Sequence, residues 1–118
     1  MGEPLPRAAA AYGVRRKLAG YSLDLAHEVG GPKALGFKRI LGIMLADIDY
    51  VEGAIYMGIL LMPVSSVEEN PPWGISCVVN MPLRGRGEKS GRVVNLRTAW
   101  AIDYPGALPR LASAYLKP

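Results

Sequence analysis

The segment RVVNLRTAWAIDY, residues 92–104, decides the fold, because its apolar and polar residues alternate with a period of two. Such alternation is typical of a β-strand with one face in the core and the other in solvent. The residues assigned to the apolar face are Val94, Leu96, Thr98, Trp100, Ile102 and Tyr104. The opposite face carries Asn95, Arg97 and Asp103, which leaves a polar surface open for binding.

The strand pattern continues on both sides of this segment. ISCVVNMPL (residues 75–83) and RLASAYL (residues 110–116) each predict a strand, and PGALP (residues 105–109) predicts the turn before the last one. The glycine-rich stretch RGRGEKSG, residues 84–91, predicts a hairpin connection. VSSVEENPPWG, residues 64–74, reads as a loop, because its prolines, asparagine and glycine disfavour regular structure.

The N-terminal half shows helical signals instead. In GGPKALGFKRILG, residues 30–42, Gly31 suits the N-cap and Gly42 the C-terminal stop of a helix. A second helix is expected from Asp47 as N-cap to Pro63, with an apolar stripe at helical spacing. The stripe consists of Ile48, Val51, Ile55, Ile59 and Met62. VRRKLAGYSLDL, residues 14–25, predicts a short helix or turn that buries Leu18, Tyr21 and Leu25.

Helices followed by strands indicate an α+β fold in which N-terminal helices pack on one face of a small antiparallel β-sheet. The chain has 118 residues, of which 50% are hydrophobic and 20% charged, as expected of one globular domain. We assign residues 1–13 to a flexible leader and residues 14–118 to the domain. The N-terminus has no apolar core of signal-peptide length, and the longest apolar stretch, residues 54–64, is too short to span a bilayer, so we expect a cytoplasmic protein with no membrane contact.

His27 and Lys33 are the strongest candidates for chemistry. His27 is the only histidine of the chain, and histidine gains or loses a proton near neutral pH. Lys33 falls in the first turn of a predicted helix, where free N–H groups and the helix dipole already favour a phosphate. A proton-transfer group beside cations suits RNA cleavage by transesterification, for which we expect no metal and no other cofactor.

Each candidate also has an ordinary structural interpretation. A histidine close to a helix start often caps the helix, and a lysine in such a place is often only solvated. Thr98 lies on the apolar side of its strand, where a core role competes with a catalytic one, whereas Arg97 faces the open surface. The basic residues assigned to RNA binding are Arg84, Arg86, Lys89 and Arg92. They fit a soluble hairpin tip equally well.

The order of KLAGYSLDLAHEVGGPKALGFKRILG, VVNLRTAWAID and LPRLASAYL resembles a family of small bacterial toxin modules found in polymorphic-toxin and toxin–antitoxin systems. The pattern of that family runs K-L-x-x-Y-x-L, H-x-x-G-x-K-A-x-x-F, L-G and T-x-W, with one extra residue here before the second lysine. The matching residues are Lys17, Leu18, Tyr21, Leu23, His27, Gly30, Lys33, Ala34, Phe37, Thr98, Trp100 and Leu111. They span most of the chain, although each motif alone is weak.

The resemblance implies membership of the barnase, EndoU, colicin and RelE-like superfamily of ribonucleases, with helices against a four-stranded antiparallel sheet. It carries catalytic roles to His27, Lys33 and Thr98, to which the open-face Arg97 is added. It also implies RNA as substrate and a cognate antitoxin or immunity protein, which we expect to be acidic because the chain has a net charge of +4. A non-catalytic binding domain, such as the antitoxin or immunity half of such a pair, stays open as the alternative. The oligomeric state stays open too.

Overall fold

The computed structural model describes residues 2–69 and 74–118, and these residues form an α+β fold. The helices are α1 (Val14–Lys17), α2 (Gly31–Leu41) and α3 (Ile48–Leu61). The strands β1 (Val64–Glu69), β2 (Ile75–Arg84), β3 (Val93–Ile102) and β4 (Arg110–Leu116) form one antiparallel sheet in the order β1-β2-β3-β4. The predicted fold class is confirmed.

Strand β3 is the central element that the sequence pattern predicted. It pairs with β2 without interruption from Ile102 opposite Ile75 to Val93 opposite Arg84. Its indole residue, Trp100, is completely buried. One assignment is wrong: Tyr104 is 65% exposed, because the strand ends at Ile102 and the chain bends away from the core.

The helices cover one face of the sheet. Helix α3 packs on β2, and helices α1 and α2 pack on β4. The predicted apolar stripe of α3 is confirmed, since Val51, Ile55 and Ile59 are all completely buried. The opposite face of the sheet is polar and carries a hydrogen-bonded ladder in which Asn95 donates to Asn80 and Asn80 donates to Ser65.

Both ends of α2 follow the sequence signals closely. The helix begins at Gly31, so its N-cap is Gly30, one residue before the predicted position. Gly42 ends the helix with φ of 64°, and its N–H donates to the Lys38 carbonyl, as a left-handed glycine stop does. Asp47 precedes α3 as predicted, but its carboxylate accepts the Met44 N–H and closes a 3₁₀ turn instead of capping α3.

Helix α1 continues as a wider π-helical turn over Leu18–Ser22. The Leu23 N–H donates to the Leu18 carbonyl over 2.8 Å, which closes a five-residue step. This step takes the chain off the α-helical period, so that Leu23 is buried and Leu25 is 46% exposed. The predicted burial of Leu25 is therefore wrong, whereas that of Leu18 is confirmed.

The predicted loop over residues 64–74 is corrected over its first part, which forms strand β1. The strand pairs with β2 from Val64 opposite Val79 to Glu69 opposite Ile75. It is an edge strand, and after Val64 all its residues are exposed, so it needs no alternation of apolar residues in its sequence. Residues 70–73 of the predicted loop lie outside the described residues.

The N-terminal segment is packed on the domain, so the expectation of a loose leader is not met over residues 2–13. Leu5, Ala8 and Ala11 are buried in the core. The Glu3 carbonyl accepts the Val64 N–H at β1, and Tyr12 pairs with Arg110 at β4. The segment therefore crosses the domain from one edge strand to the other. The composition of small residues and prolines hid this contact, because burial here needs few large side chains.

We expect Leu5→Ala to lower the free energy of unfolding by about 2–4 kcal/mol, because it opens a cavity under the N-terminal segment. Urea denaturation measures this change. The matched control is Leu61→Ala, which removes the same atoms from a side chain in solvent and should change stability by less than about 0.5 kcal/mol. Equal stability of both variants would show that the segment does not contribute to the core.

Candidate functional site

Tyr21, near the end of the π-helical turn, is the centre of a group of basic side chains. The His27 ring meets the Tyr21 ring edge-on, with 4.9 Å between centroids. Lys33 Nζ lies 5.0 Å from the Tyr21 centroid and donates a hydrogen bond of 3.2 Å to its hydroxyl. Lys17 Nζ lies 5.2 Å from the same centroid. The predicted pair, His27 and Lys33, is thus brought together by one aromatic ring.

A second tyrosine extends this group towards the sheet. Lys33 Nζ also lies 5.1 Å from the Tyr115 ring centroid on β4. Arg97 Cζ lies 5.6 Å from the same ring, because Arg97 and Tyr115 are directly opposite in the β3–β4 register. We call Lys17, Tyr21, His27, Lys33, Arg97 and Tyr115 the two-tyrosine cluster. All six side chains are partly exposed.

His27 is fixed in one tautomer by the backbone of the following turn. Its Nδ1 accepts hydrogen bonds from the N–H groups of Val29 and Gly30, at 3.0 and 2.9 Å. A nitrogen that accepts two N–H donors carries no hydrogen itself, so the ring hydrogen is on Nε2. In this arrangement Nε2 can donate to a substrate but cannot accept its proton. The ring is therefore a hydrogen-bonded part of the turn before α2, although the N-cap of α2, Gly30, has no side-chain cap, and one ring N–H is left available.

Position 30, between His27 and Lys33, has room only for a glycine. A β-carbon at position 30 would lie 2.3 Å from the Tyr21 carbonyl oxygen. Only glycine allows this approach, and the approach brings the Gly30 N–H to His27 and the start of α2 to Tyr21. The turn between His27 and Lys33 is thus a close packing of two backbone segments.

The cations of the cluster keep their charge free for an external anion. Among the described residues, none of Lys17, Lys33 and Arg97 forms an ion pair with a carboxylate. They lie over tyrosine rings, whose negative π-faces hold a cation without neutralising its charge. The cluster is therefore suited to bind a phosphate or another anion.

Thr98 belongs to the core and does not join the cluster. Its side chain is completely buried, and its Oγ1 donates to the Val79 carbonyl over 2.7 Å. The same oxygen accepts the indole N–H of Trp100 over 2.9 Å. The structure thus favours the core interpretation over the catalytic one, because both hydrogen-bonding functions of the hydroxyl are used inside the protein.

The predicted RNA-binding residues lie at the opposite end of α2 from Lys33. The hairpin that carries them contacts the end of α2 through the Arg86 N–H and the Leu41 carbonyl, about 12 Å along the helix axis from Lys33. Arg84 donates to the Ser90 carbonyl and Arg92 to the Ile40 carbonyl.

Two other contacts occupy this hairpin. Arg86 lies near Asp47 and over the Tyr50 ring, and the Lys89 stem lies beside Gly42. The structure thus does not bring the hairpin cations together with His27.

Sequence reasoning missed the roles of Lys17, Tyr21 and Tyr115. The first two stand in the K-L-x-x-Y motif, but we interpreted Tyr21 only as a buried helix residue. The signal for Tyr115 is its position opposite Arg97, which requires the strand register. A pocket of about 490 Å³ adjoins the cluster at His27, Lys17 and Tyr21, and no motif marked its other wall, which includes Tyr12 and Arg16.

Other chemistries find little support in the described residues. Burial raises the pKa of the Cys77 thiol, which favours the unreactive protonated form. Within residues 2–69 and 74–118, no three side chains of His, Cys, Asp or Glu are grouped as metal ligands. None of the helices in these ranges is long and apolar enough to cross a lipid bilayer.

Comparison with known proteins gives the family of this chain. It belongs to the family described as a domain of unknown function, DUF6883, whose model matches residues 4–118. The match begins within the N-terminal segment, in agreement with the packing of that segment on the domain. No curated protein and no solved structure matches the chain.

We expect Gly30→Ala to lower the free energy of unfolding by about 3 kcal/mol, because the methyl group collides with the Tyr21 carbonyl. The control is Gly36→Ala, where the added carbon meets nothing within 4 Å and should raise helix stability by about 0.5–1 kcal/mol. Urea denaturation of both variants checks this. Opposite signs of the two effects are expected, and a neutral Gly30→Ala would contradict the close packing.

Proposed function

We propose that this protein is a metal-independent endoribonuclease, and that it acts in the cytoplasm as the toxin of a toxin–antitoxin or polymorphic-toxin system. The observation that carries the proposal is the two-tyrosine cluster, in which Lys17, Lys33 and His27 share the Tyr21 ring and Arg97 joins through Tyr115. Among the described residues its cations have no carboxylate partner, and one imidazole N–H is available. The motif resemblance to the barnase, EndoU, colicin and RelE-like superfamily supports it. Membership of that superfamily is part of the proposal.

The chemistry assigned to the site is transesterification of RNA. Solvent hydroxide takes the proton of the 2′-hydroxyl, whose oxygen attacks phosphorus, and the P–O bond to the 5′-oxygen breaks. The departing oxygen takes a proton from water, which regenerates hydroxide. The pentacovalent phosphate carries more negative charge than the substrate, so the cations and the donor stabilise it preferentially.

The residues of the cluster divide this work. His27 Nε2–H donates to a phosphoryl oxygen, and Lys33 and Arg97 supply positive charge. We assign hydrogen-bond donation to His27 in place of the expected proton transfer, and the support for this is that Nδ1 accepts two backbone N–H groups. We also propose a second contact to RNA, away from the cleaved bond. It would be made by the hairpin residues Arg84, Arg86, Lys89 and Arg92.

We expect purified protein to cleave RNA in EDTA, to leave 2′,3′-cyclic phosphate ends, and to spare the matching DNA, which lacks the attacking hydroxyl. His27→Asn should slow cleavage about a hundredfold, as the loss of one donor to a developing oxyanion does. The Asn Oδ1 can still accept the two backbone N–H groups, so stability should change little. Lys33→Ala should also slow cleavage.

This assignment has one control variant, and two results would contradict it. Arg39→Ala is the control for Lys33→Ala, since it removes an exposed cation from the same helix outside the cluster, and it should cleave at the wild-type rate. Full activity of the folded His27→Asn variant would remove the donor role. No cleavage by the wild type of total RNA would contradict the nuclease function.

The pH dependence of cleavage tests the fixed tautomer of His27. With hydroxide as the base, the rate should rise about tenfold for each pH unit between about pH 6 and pH 8. Single-turnover rates on a short RNA measure the slope. A bell-shaped profile in this range, lost in His27→Asn, would instead indicate that His27 transfers a proton.

A non-catalytic binding domain is the second candidate. The hydrogen bonds from the Val29 and Gly30 N–H groups to His27 favour it, because this structural role of the ring needs no catalysis. RNA binding without cleavage by the wild type would support it. For the nuclease we propose an acidic partner, an antitoxin or immunity protein, that covers the cations of the two-tyrosine cluster. The binding domain would itself be the antitoxin or immunity half of such a pair. A neutral or basic partner bound away from the cluster would contradict this part.

A further inference from the structure

The pocket beside the two-tyrosine cluster is large enough for a small ligand, and part of its wall is formed by residues outside the cluster. It has a volume of about 490 Å³, within the range of small-ligand sites. It opens between the N-terminal segment, the π-helical turn and the start of β4. Arg16, Lys17 and Arg110 line it, and no carboxylate does. Arg110 lies 3.5 Å from Asp103, so Arg16 and Lys17 supply the unpaired charge.

Two tyrosines line the pocket, and they differ in how much of each ring is available to a ligand. The Tyr21 ring is occupied by Lys17, Lys33 and the edge of His27. The Tyr12 side chain is 46% exposed. Its backbone is fixed, because the Tyr12 N–H donates to the Pro109 carbonyl and the Tyr12 carbonyl accepts the Leu111 N–H, both at 3.1 Å. Tyr12 is thus an anchored aromatic surface available to a ligand.

We propose that this pocket binds one unpaired nucleotide of RNA, with its base stacked on Tyr12 and its phosphate held by Arg16 and Lys17. An aromatic surface beside two cations that have no carboxylate partner among the described residues suits a nucleotide better than a simple anion or an apolar ligand. His27 lines both the pocket and the cluster, which places the bound nucleotide next to the cleaved phosphate. That last step rests on the proposed function.

The pocket proposal predicts which class of RNA the protein acts on. A base enters a concave pocket only when it is not stacked and paired within a duplex. The protein should therefore act on single-stranded RNA or on loops and ends, and should discriminate against double-stranded RNA of the same sequence.

A substitution at Gly20 would close the pocket while its cationic and aromatic residues stay unchanged. It lines the pocket, and a β-carbon added there meets no atom within 4 Å. Gly20→Phe should therefore fill the pocket with a ring at little cost to folding. Gly53→Phe is the matched control, because Gly53 is exposed on α3 and its added β-carbon also meets nothing.

The test uses a fluorescent RNA decamer with 2′-O-methyl groups, which cannot be cleaved, as a single strand and annealed to its complement. We expect the wild type to bind the single strand at least about tenfold more tightly than the duplex. Gly20→Phe and Tyr12→Ala should weaken single-strand binding about tenfold, while Tyr12→Phe and Gly53→Phe bind as the wild type does. Fluorescence anisotropy measures each dissociation constant.

Equal binding of single strand and duplex, or wild-type binding by Gly20→Phe, would overturn the pocket proposal. Its failure is distinguishable from that of the nuclease, since binding of this probe needs no catalysis. Pocket-dependent binding by a protein that cleaves no RNA would overturn only the nuclease. Cleavage by Gly20→Phe of unmodified RNA with wild-type KM and kcat would overturn only the pocket.

Discussion

The candidate site depends on the contact between the Gly30 α-carbon and the Tyr21 carbonyl. No β-carbon fits between them, so the π-helical turn and the start of α2 approach as closely as two backbones can. This contact determines where the intervening turn lies and aims two N–H groups at His27. It also puts Lys33 within reach of the Tyr21 hydroxyl. One glycine thus sets the positions of the three side chains on which the proposed chemistry rests.

The two basic regions of this protein differ in what their cations contact. In the β2–β3 hairpin, Arg84 and Arg92 each donate to a backbone carbonyl, and Arg86 lies near Asp47 and over the Tyr50 ring. The cations of the two-tyrosine cluster lie on aromatic faces, and among the described residues they form no ion pair with a carboxylate. Because a neutral carbonyl does not compensate the charge of an arginine, both regions can attract a polyanion, but only the cluster includes His27.

The sequence predicted the elements better than their contacts. The strong periods of β3 and α3 survive in the structure, because each buries one face against a continuous core. The pattern failed at β1 and at Leu25, where an edge strand needs no apolar alternation and a π-helical step breaks the helical period. It also failed for the N-terminal segment, where Leu5 and small alanines are buried with few large apolar side chains to signal it.

The sequence by itself determined the α+β class, the presence and approximate positions of α2 and β3, and the candidacy of His27 and Lys33, because these follow from local periodicity and short motifs. Only the tertiary structure decided that Thr98 is a core residue, that His27 holds its hydrogen on Nε2, and that Tyr21 and Tyr115 join the candidate site. The core role of Thr98 and the place of Tyr115 arise from contacts between residues far apart in the chain, namely the pairing of β3 with β2 and β4. The tautomer of His27 is set by hydrogen bonds within its own turn, whose shape depends on the approach of Gly30 to Tyr21. Pair contacts of this kind leave no period in a single sequence.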